Sequence, residues 1–479
     1  MSLNAAFGNA LSGLAATTRR AEVISANLAN ALTDGYGRRQ VELSAASMGG
    51  VGAGVRIDGV SRQVDRALLA ERRGAEALSE RRGALLDGLA SLEAAFGAAD
   101  EGTSLSARIA AFEGALVSLS ADPSSEARQS QALERLGQVT TTLRGSADAV
   151  QRARAESDAG IARAVDGLNA DLKGIERLNG DIVAARSNGA DAASLLDQRQ
   201  VLIDRVAKVV PVREMDRGQG TVALITPAGA TLLDGRAATV GFAASPTITA
   251  AMSLAGGALS GLTIDGQPAG PVATDGAGRL GGGSLGAAFE LRDATLPAAA
   301  QKLDALARDL IGRFEDPAAD PTRGAAPGLL TDAGAALGAA PAPGLASRIS
   351  VNAAVEGAPW RLRDGLRAAA PGPSGDASQV ARWLDALSTP RPLAPGGRAG
   401  GAAGLAAGAE AEVGAQRLAA EGEAAFASAR WSSLREAELS GGVDSDREMQ
   451  DLLRVEQAYA ANARVIEALD AMTRTILEI

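Results

Sequence analysis

The chain has 479 residues, a formal net charge of -10, and neither Cys nor His. Those values exclude thiol nucleophiles, zinc sites with Cys or His ligands, histidine acid–base pairs and any disulfide framework; an acidic chain without a long basic run also argues against nucleic acid as a partner. Hydrophobic residues make up 46% and aromatics only 3%, so several domains are expected, with cores packed from Ala, Leu, Val and Ile on closely approaching helices.

In chain order, residues 2–30 read as a helix capped by Ser2, with Leu3, Phe7, Ala10, Leu14, Thr17, Ala21, Ile24 and Leu28 spaced by threes and fours. Gly8 and Gly13 are its weak points. Thr33-Asp34-Gly35-Tyr36-Gly37 is a turn. Residues 38–60 alternate as extended chain, interrupted at Gly49–Gly54. Helical spacing returns over Val64–Phe96 and Leu105–Leu119. After Asp122-Pro123, Ser124 or Ser125 caps a helix from about Glu126 to Arg186, which spans roughly 90 Å at 1.5 Å per residue. Asn188-Gly189 stops it, and Leu195–Val209 is a further amphipathic helix.

The period then changes. Short alternating runs at Thr221–Thr226, Thr231–Leu233 and Leu262–Ile264 end in Gly, Pro and Asp-Gly turns, the pattern of a β-rich insert over 210–286. Leu285–Phe314 returns to helix. Residues 317–343 are loop-rich, 349–355 are extended, and Val380–Leu387 form a short helix. The Pro, Gly and Ala of 390–408 read as a linker or surface loop. A helix from about Glu410 to Glu438 breaks at Ser440-Gly441-Gly442. A last helix, Asp444–Ile479, carries Leu452, Val455, Tyr459, Ile466, Leu469 and Ile476 on one seam, with Asn462 and Thr473 filling it.

The expected fold is therefore mainly α with a small inserted β domain: an elongated, nested molecule whose N- and C-terminal helices pair like a coiled coil. Its layers are 1–60 with 431–479, 61–209 with 287–430, and 210–286. Residues 444–479 hold eight acidic residues against four Arg, and residues 1–40 hold four Arg against two acids. Opposite signs favour pairing of the ends, and the acidic last helix speaks against membrane-surface binding. No window approaches about 18 uninterrupted apolar residues, so no membrane span is expected. Asp316, Asp320 and Asp332 fit no calcium-loop spacing and read as solvated loop charges. Gly281-Gly282-Gly283 lacks the Lys-Ser or Lys-Thr of a phosphate cradle. Trp360 and Trp383 read as core anchors. No metal or cofactor is expected, and no catalytic residue.

Three N-terminal pieces carry a specific pattern: Leu11-Ser12-Gly13-Leu14-Ala15-Ala16, Ser25-Ala26-Asn27-Leu28-Ala29-Asn30 and Thr33-Asp34-Gly35-Tyr36. Near the C-terminus Ser440–Val443, Asp446, Glu448-Met449, Leu452-Leu453, Gln457 to Ile466 and Met472 form a second. Together they resemble the paired terminal signatures of the bacterial flagellar axial proteins, the rod, hook and hook-associated proteins. Leu195-Leu196-Asp197-Gln198-Arg199 and Gly282-Gly283-Ser284-Leu285-Gly286 to Leu291-Arg292-Asp293 are similar to the helical domain of its hook-associated members, at the hook–filament junction.

That resemblance implies a structural adaptor rather than an enzyme. Its partners would be further copies of itself, hook protein, a second junction protein, the filament and an export chaperone. It would be extracellular, exported by the flagellar apparatus without a cleaved signal peptide, and no standard signal peptide is expected from the N-terminal residues. Assembly residues would be Leu3, Phe7, Leu14, Ile24, Asn27, Leu28, Asn30, Gly35, Tyr36, Met449, Leu452, Val455, Tyr459, Ile466, Leu469 and Ile476. Both ends would be largely disordered until assembly orders them. The alternatives are a divergent hook or rod protein and, in another class, a surface-exposed binding or adhesive protein.

Overall fold

The computed structural model describes residues 3–48, 51–97, 102–270, 277–340 and 342–477. The expected Ser2 cap, Gly49 and Gly50 of the interrupting stretch, and the last two residues of the final helix lie outside those limits. In chain order, helix α1 (Leu3–Ala29) leads into strands β1 (Arg38–Met48) and β2 (Val51–Gln63), then α2 (Arg66–Phe96), α3 (Leu105–Ala121), α4 (Glu126–Ser187) and α5 (Ala193–Val209). Strands β3 (Arg213–Gly218), β4 (Thr221–Ile225), β5 (Thr231–Asp234) and β6 (Arg236–Ala237) form one antiparallel sheet. Strands β7 (Val240–Gly241), β8 (Thr263–Ile264) and β9 (Gln267–Pro268) form another.

Helices α6 (Gly283–Glu290) and α7 (Leu296–Glu315) follow, joined by a π-turn at Leu291–Thr295. Short pieces come next: β10 (Leu330–Asp332), α8 (Leu345–Arg348), β11 (Ile349–Val351), α9 (Ala353–Glu356), α10 (Arg361–Asp364) and α11 (Ser378–Ser388). Strands β12 (Arg391–Pro392) and β13 (Ala399–Gly400) precede the two closing helices, α12 (Ala402–Ser440) and α13 (Ser445–Leu477). The fold is mainly α with small sheets, as the periodicities indicate. Among the described residues no helix is long and apolar enough to cross a membrane.

Helix α4 is the beam of the structure. It runs unbroken for 62 residues, starting where the Ser125 hydroxyl accepts from Arg128 N. Its first half packs with α3, α7, α11 and the start of α12 in one core, where Phe112, Phe314 and Trp383 stack edge to face at 6.4 and 5.6 Å. Trp383 is fully buried and its indole N–H donates to Leu362 O at 3.0 Å, while Trp360 is only half-buried. The second half of α4 packs Ile161, Val165, Leu168, Leu172 and Ile175 with Ile203 and Val206 of α5, Leu224 and Leu232 of the sheet, and Leu285 and Phe289 of α6. The strands within 210–286 thus share a core with three helices. Two small sheets of strands two to six residues long bury too little apolar surface to stand alone.

Not every expectation holds. Residues 390–401 are a surface loop pinned by the β12–β13 pair, but 402–408 are neither linker nor loop: α12 begins at Ala402, with Ala402, Leu405 and Ala406 buried. Alanine is both the best helix former and small enough for close helix contact, so a run that looks featureless in sequence is a packed first turn. The three loop carboxylates are not simply solvated charges, since each is matched and Asp320 is buried. Asp316 pairs with Arg391 (2.7 Å) and Asp332 with Arg348 (2.8 Å), while Asp320 accepts from Thr322 N (2.9 Å) and Leu366 N (3.0 Å). Gly283 has φ +56°, and a Cβ there would lie 2.4 Å from Val209 O. That glycine serves close packing of α6 on the end of α5.

Helix α12 runs antiparallel to α2. Arg82 meets Glu423 at 2.6 Å and Arg417 meets Glu93 at 2.6 Å. Helices α1 and α13 are antiparallel too: Asn27 meets Glu448 at one end of the pair, and a Cβ on Gly13 would lie 2.9 Å from Asn462 Oδ1 further along. Both chain ends therefore emerge at the same end of the molecule.

Two measurements test this packing. Because the chain has no Cys, Gly13→Cys with Asn462→Cys should cross-link internally on oxidation, since even a short-lived pair is trapped. Gly13→Cys with Leu469→Cys, one heptad out of register, should not; equal yields would refute the register. The second concerns Glu410, buried where α12 meets α3 and accepting from Ser106 N (2.9 Å) and Ser106 Oγ (2.6 Å). Burial pushes its carboxyl above the ordinary range, against the pull of the Ser106 hydrogen bonds. A raised folded value means that the stabilisation is full below the unfolded value and is lost as pH rises through the folded one. The urea midpoint of Glu410→Gln should therefore rise relative to wild type between about pH 4 and pH 7; a pH-independent difference would contradict the assignment.

Candidate assembly interface

Asn27 sits in the last turn and a half of α1, 1% exposed, facing both the strand that follows and the first turn of α13. An asparagine amide offers two lone pairs and two N–H groups, and here all four are used. Its Oδ1 accepts from Tyr36 OH and from Arg39 N, both at 2.9 Å. Its Nδ2 donates to Arg39 O at 2.9 Å and to Glu448 Oε2 at 3.2 Å. Glu448, also 1% exposed, holds Arg38 Nε through its other oxygen at 2.6 Å, and Arg38 reaches Asp451 at 3.8 Å. A carboxylate in the first turn of a helix also meets the positive end of the helix dipole. Basic N-terminal and acidic C-terminal residues thus meet, as their opposite charge counts suggest.

The turn after α1 is shaped to present these groups. Asn30 closes the helix, its Nδ2 donating to Ala26 O at 2.9 Å. Gly35 has φ +77°, and a Cβ there would lie 2.6 Å from Val201 Cγ2 on α5, so only glycine fits. Tyr36 lies under the Arg39 guanidinium, 4.9 Å from ring centre to Cζ. Burial raises its phenol above the ordinary value, with the Arg39 charge opposing. The hairpin then folds back: Val55 N donates to Ser12 Oγ on α1 at 3.1 Å, beside Gly54 at φ +93°.

Asp197 on α5 ties this terminal unit to the helical body. It accepts from Gly37 N (3.0 Å), Arg39 Nη2 (3.0 Å) and Arg62 Nε (2.7 Å). Two residues on, Arg199 donates to Asn179 Oδ1 on α4 (2.8 Å) and to Gly220 O in the β3–β4 turn (2.5 Å). The Leu195–Arg199 stretch is therefore a two-way clamp, with Asp197 toward the termini and Arg199 toward the insert. Nearby, buried Arg72 pairs with Glu76, with Asp204 (2.8 Å) and with Glu438 (2.9 Å), while Arg73 pairs with Asp204 (2.6 Å) and Glu214 (2.8 Å). These bonds fix α2, α5, α12 and β3 to one another.

The residues expected to carry assembly divide in three. Ile24, Asn27 and Val455 are buried. Leu14, Leu28, Asn30, Gly35, Tyr36, Leu452, Ile466 and Leu469 are half-buried, and Leu3, Phe7, Met449, Tyr459 and Ile476 are exposed. The buried side of α1 carries the small Ala10, Ala16 and Thr17 along its first two thirds and Val23 and Ile24 near its end, while Phe7 is 44% and Leu11 52% exposed. On α13, Leu453, Met472 and Leu477 are exposed as well, at 54, 56 and 80%. Sequence reasoning missed Glu448, Arg38, Asp197 and the Gly13–Asn462 contact as fixing points. Gly13, Asp197 and Glu448 do lie within the family-like stretches, and the opposed charges of the two ends point to a polar contact, but neither signal names the partners.

Three family profiles fall on this architecture. Residues 89–320 match "Flagellar hook-associated protein FlgK helical domain", residues 7–36 "Flagella basal body rod protein", and residues 440–479 "Flagellar basal body rod FlgEFG protein C-terminal". Flagellar hook-associated protein 1 of Salmonella typhimurium strain LT2 is 26% identical over 258 residues, covering 52% of this chain and 46% of that protein. Its Salmonella typhi counterpart gives the same figures. The match thus spans about half the length of these curated relatives. The solved flagellar hook junction protein FlgK from Burkholderia pseudomallei aligns with TM-score 0.44 and 19% identity, over 56% of this chain and 46% of that one. With rod-type signatures on both terminal helices and the hook-associated helical-domain signature between them, the chain is similar in each part to the flagellar rod and hook axial proteins, and in its body to the hook-associated FlgK group.

Proposed function

We propose that this chain is a structural adaptor that joins hook to filament, assembling through α1 and α13. The observation that carries the reading is the state of the terminal pair. Its register is locked by the Asn27–Glu448 contact, yet the large apolar side chains Phe7, Leu11, Leu453, Met472 and Ile476 face solvent at 44 to 59% exposure. Large apolar side chains left exposed along the length of one helix pair mark an interaction surface. Each such residue gains about 1.5–3 kcal/mol when fully buried, so a tube of neighbouring copies is strongly favoured over the free chain.

In this reading the α1–α13 pairs form the inner tube, the helical body forms the next shell, and the β3–β9 insert faces outward and tunes lateral contacts. Hook protein lies on one side, a second junction protein and the filament on the other. An export chaperone shields the apolar ends before secretion to the cell exterior, and a chain with no Cys passes unfolded without disulfides to undo. The role is mechanical, not catalytic. Because the terminal pair buries few large side chains of its own, both ends are largely disordered in the free chain and ordered by assembly.

Limited proteolysis of the free protein should therefore cut within 3–29 and 445–477 well before it cuts α4; termini as resistant as α4 would count against this. Leu452→Asp combined with Ile466→Asp should leave the helical body folded by circular dichroism but abolish incorporation. Cells carrying only that variant should keep their hooks and shed filaments into the medium. Normal filaments in those cells would rule out assembly through this seam.

A further inference from the structure

Between the β1–β2 hairpin, α5 and the β3–β4 turn lies a polar cleft of about 910 Å3. Six arginines and four carboxylates line it. Every one of the four carboxylates is already matched. Arg66 holds Asp216 (2.9 Å), Arg73 holds Glu214 (2.8 Å) and Arg56 holds Asp58 (2.7 Å), while Asp191 accepts from Ala193 N at the start of α5 (2.8 Å). Of the arginines, Arg62 is held by Asp197 (2.7 Å) and Arg19 by Glu22 (2.9 Å).

Two guanidiniums remain. Arg199 is 6% exposed, and its hydrogen bonds among the described residues run from Nη1 alone, to the neutral Asn179 Oδ1 and Gly220 O. Its Nε and Nη2 have no partner among the described residues, and no carboxylate there lies within ion-pair distance of it. Arg186, on the last turn of α4, packs over Gly220, whose Cβ would lie 2.8 Å from its Cζ, and it too has no ion pair among the described residues. A buried cation without a contacting carboxylate is costly: burial lowers the Arg199 pKa against the longer-range attraction of Glu214, which Arg73 already holds, and of Asp216, which Arg66 holds. An arginine nevertheless stays charged. Its free N–H fork is shaped for an oxygen pair.

We propose that this cleft binds carboxylate ligands, with Arg199 at its floor and Arg186 at its rim, and that a second copy of this chain supplies the carboxylate in the assembly. The cleft is far roomier than a single small ion needs. The chain is acidic overall, at -10, and Glu456 and Glu467 on α13 are exposed without an ion pair among the described residues. The site itself is independent of the assembly reading; only the source of the carboxylate rests on it.

The probe is citrate, titrated calorimetrically into the full chain at fixed ionic strength, with chloride as the balancing anion. One saturable site is expected. Arg186→Gln, an exposed change that leaves the Asn179 and Gly220 contacts intact, should weaken it about tenfold, as loss of a charge-assisted contact does. Arg199→Gln should abolish it, and Arg144→Gln, exposed elsewhere on α4, should not alter it. No saturable heat, or undiminished binding by Arg186→Gln, overturns the site. In the second arm, self-association followed by sedimentation should weaken in Arg186→Gln and on adding citrate to wild type. Self-association unchanged by both, with citrate binding intact in wild type, overturns the second copy as the source and leaves a site for a free carboxylate.

Discussion

A single asparagine amide with every hydrogen-bonding position filled decides how the two ends of this chain meet. Asn27 joins the end of α1, the turn at Tyr36, the backbone of Arg39 and the Glu448 carboxylate. Buried polar groups of this kind are weak sources of net stability but strong selectors of geometry, because any shifted arrangement leaves donors and acceptors unpaired. A pair of apolar helices can slide by a turn or a heptad at little expense. This pair cannot, since sliding would bury Glu448 without Asn27 or Arg38. The apolar faces are thereby free to be complementary to something else.

The helical body gives that lock its foundation. Helix α4 runs through both hydrophobic cores, so the α3–α7–α11 packing and the sheet-bearing packing share one rigid axis. At the boundary, the π-turn after α6 places Arg292 in the interior. There it pairs with Asp158 at 2.7 Å and lies over Phe289 at 4.7 Å, and Arg154 closes the backbone around it. The single long helix expected over 285–314 is in fact interrupted by that extra residue in the turn, a common device where a helix must redirect a functional or structural side chain.

Periodicity made most of the architecture legible. The full length of α4, the extended character of the chain between α1 and α2, the shift to short strands after Val210 and the two terminal seams all follow from spacing and turn residues, whereas β2 runs through Gly52 and Gly54, where the glycines predict a break. Periodicity reports which face is apolar, not what approaches it. Gly13 therefore reads as a flaw in α1 when it is the point of closest approach to Asn462. The Ala- and Gly-rich stretch after Pro390 reads as a linker for the same reason, since small residues look alike in loops and in tight helix contacts. The carboxylates and arginines that join elements, Asp197, Glu448 and Arg62, could not be singled out, because a charge pattern gives sign and not partner.

The distance along the chain between Asn27 and Glu448, 421 residues, has a consequence for the order of events. Whichever end folds first, its helix waits for the other end before the pair can close. Ordinarily, closing so long a loop is entropically steep and slow. Here the α2–α12 antiparallel pair and the Asp197 clamp have already brought the two ends together once the body has folded. Closure of the ends is then a short-range step that reports on the whole chain: a copy truncated before the last helix lacks Glu448 for Asn27 and Arg38 and cannot close the pair, so the geometry itself acts as an inspection of completeness.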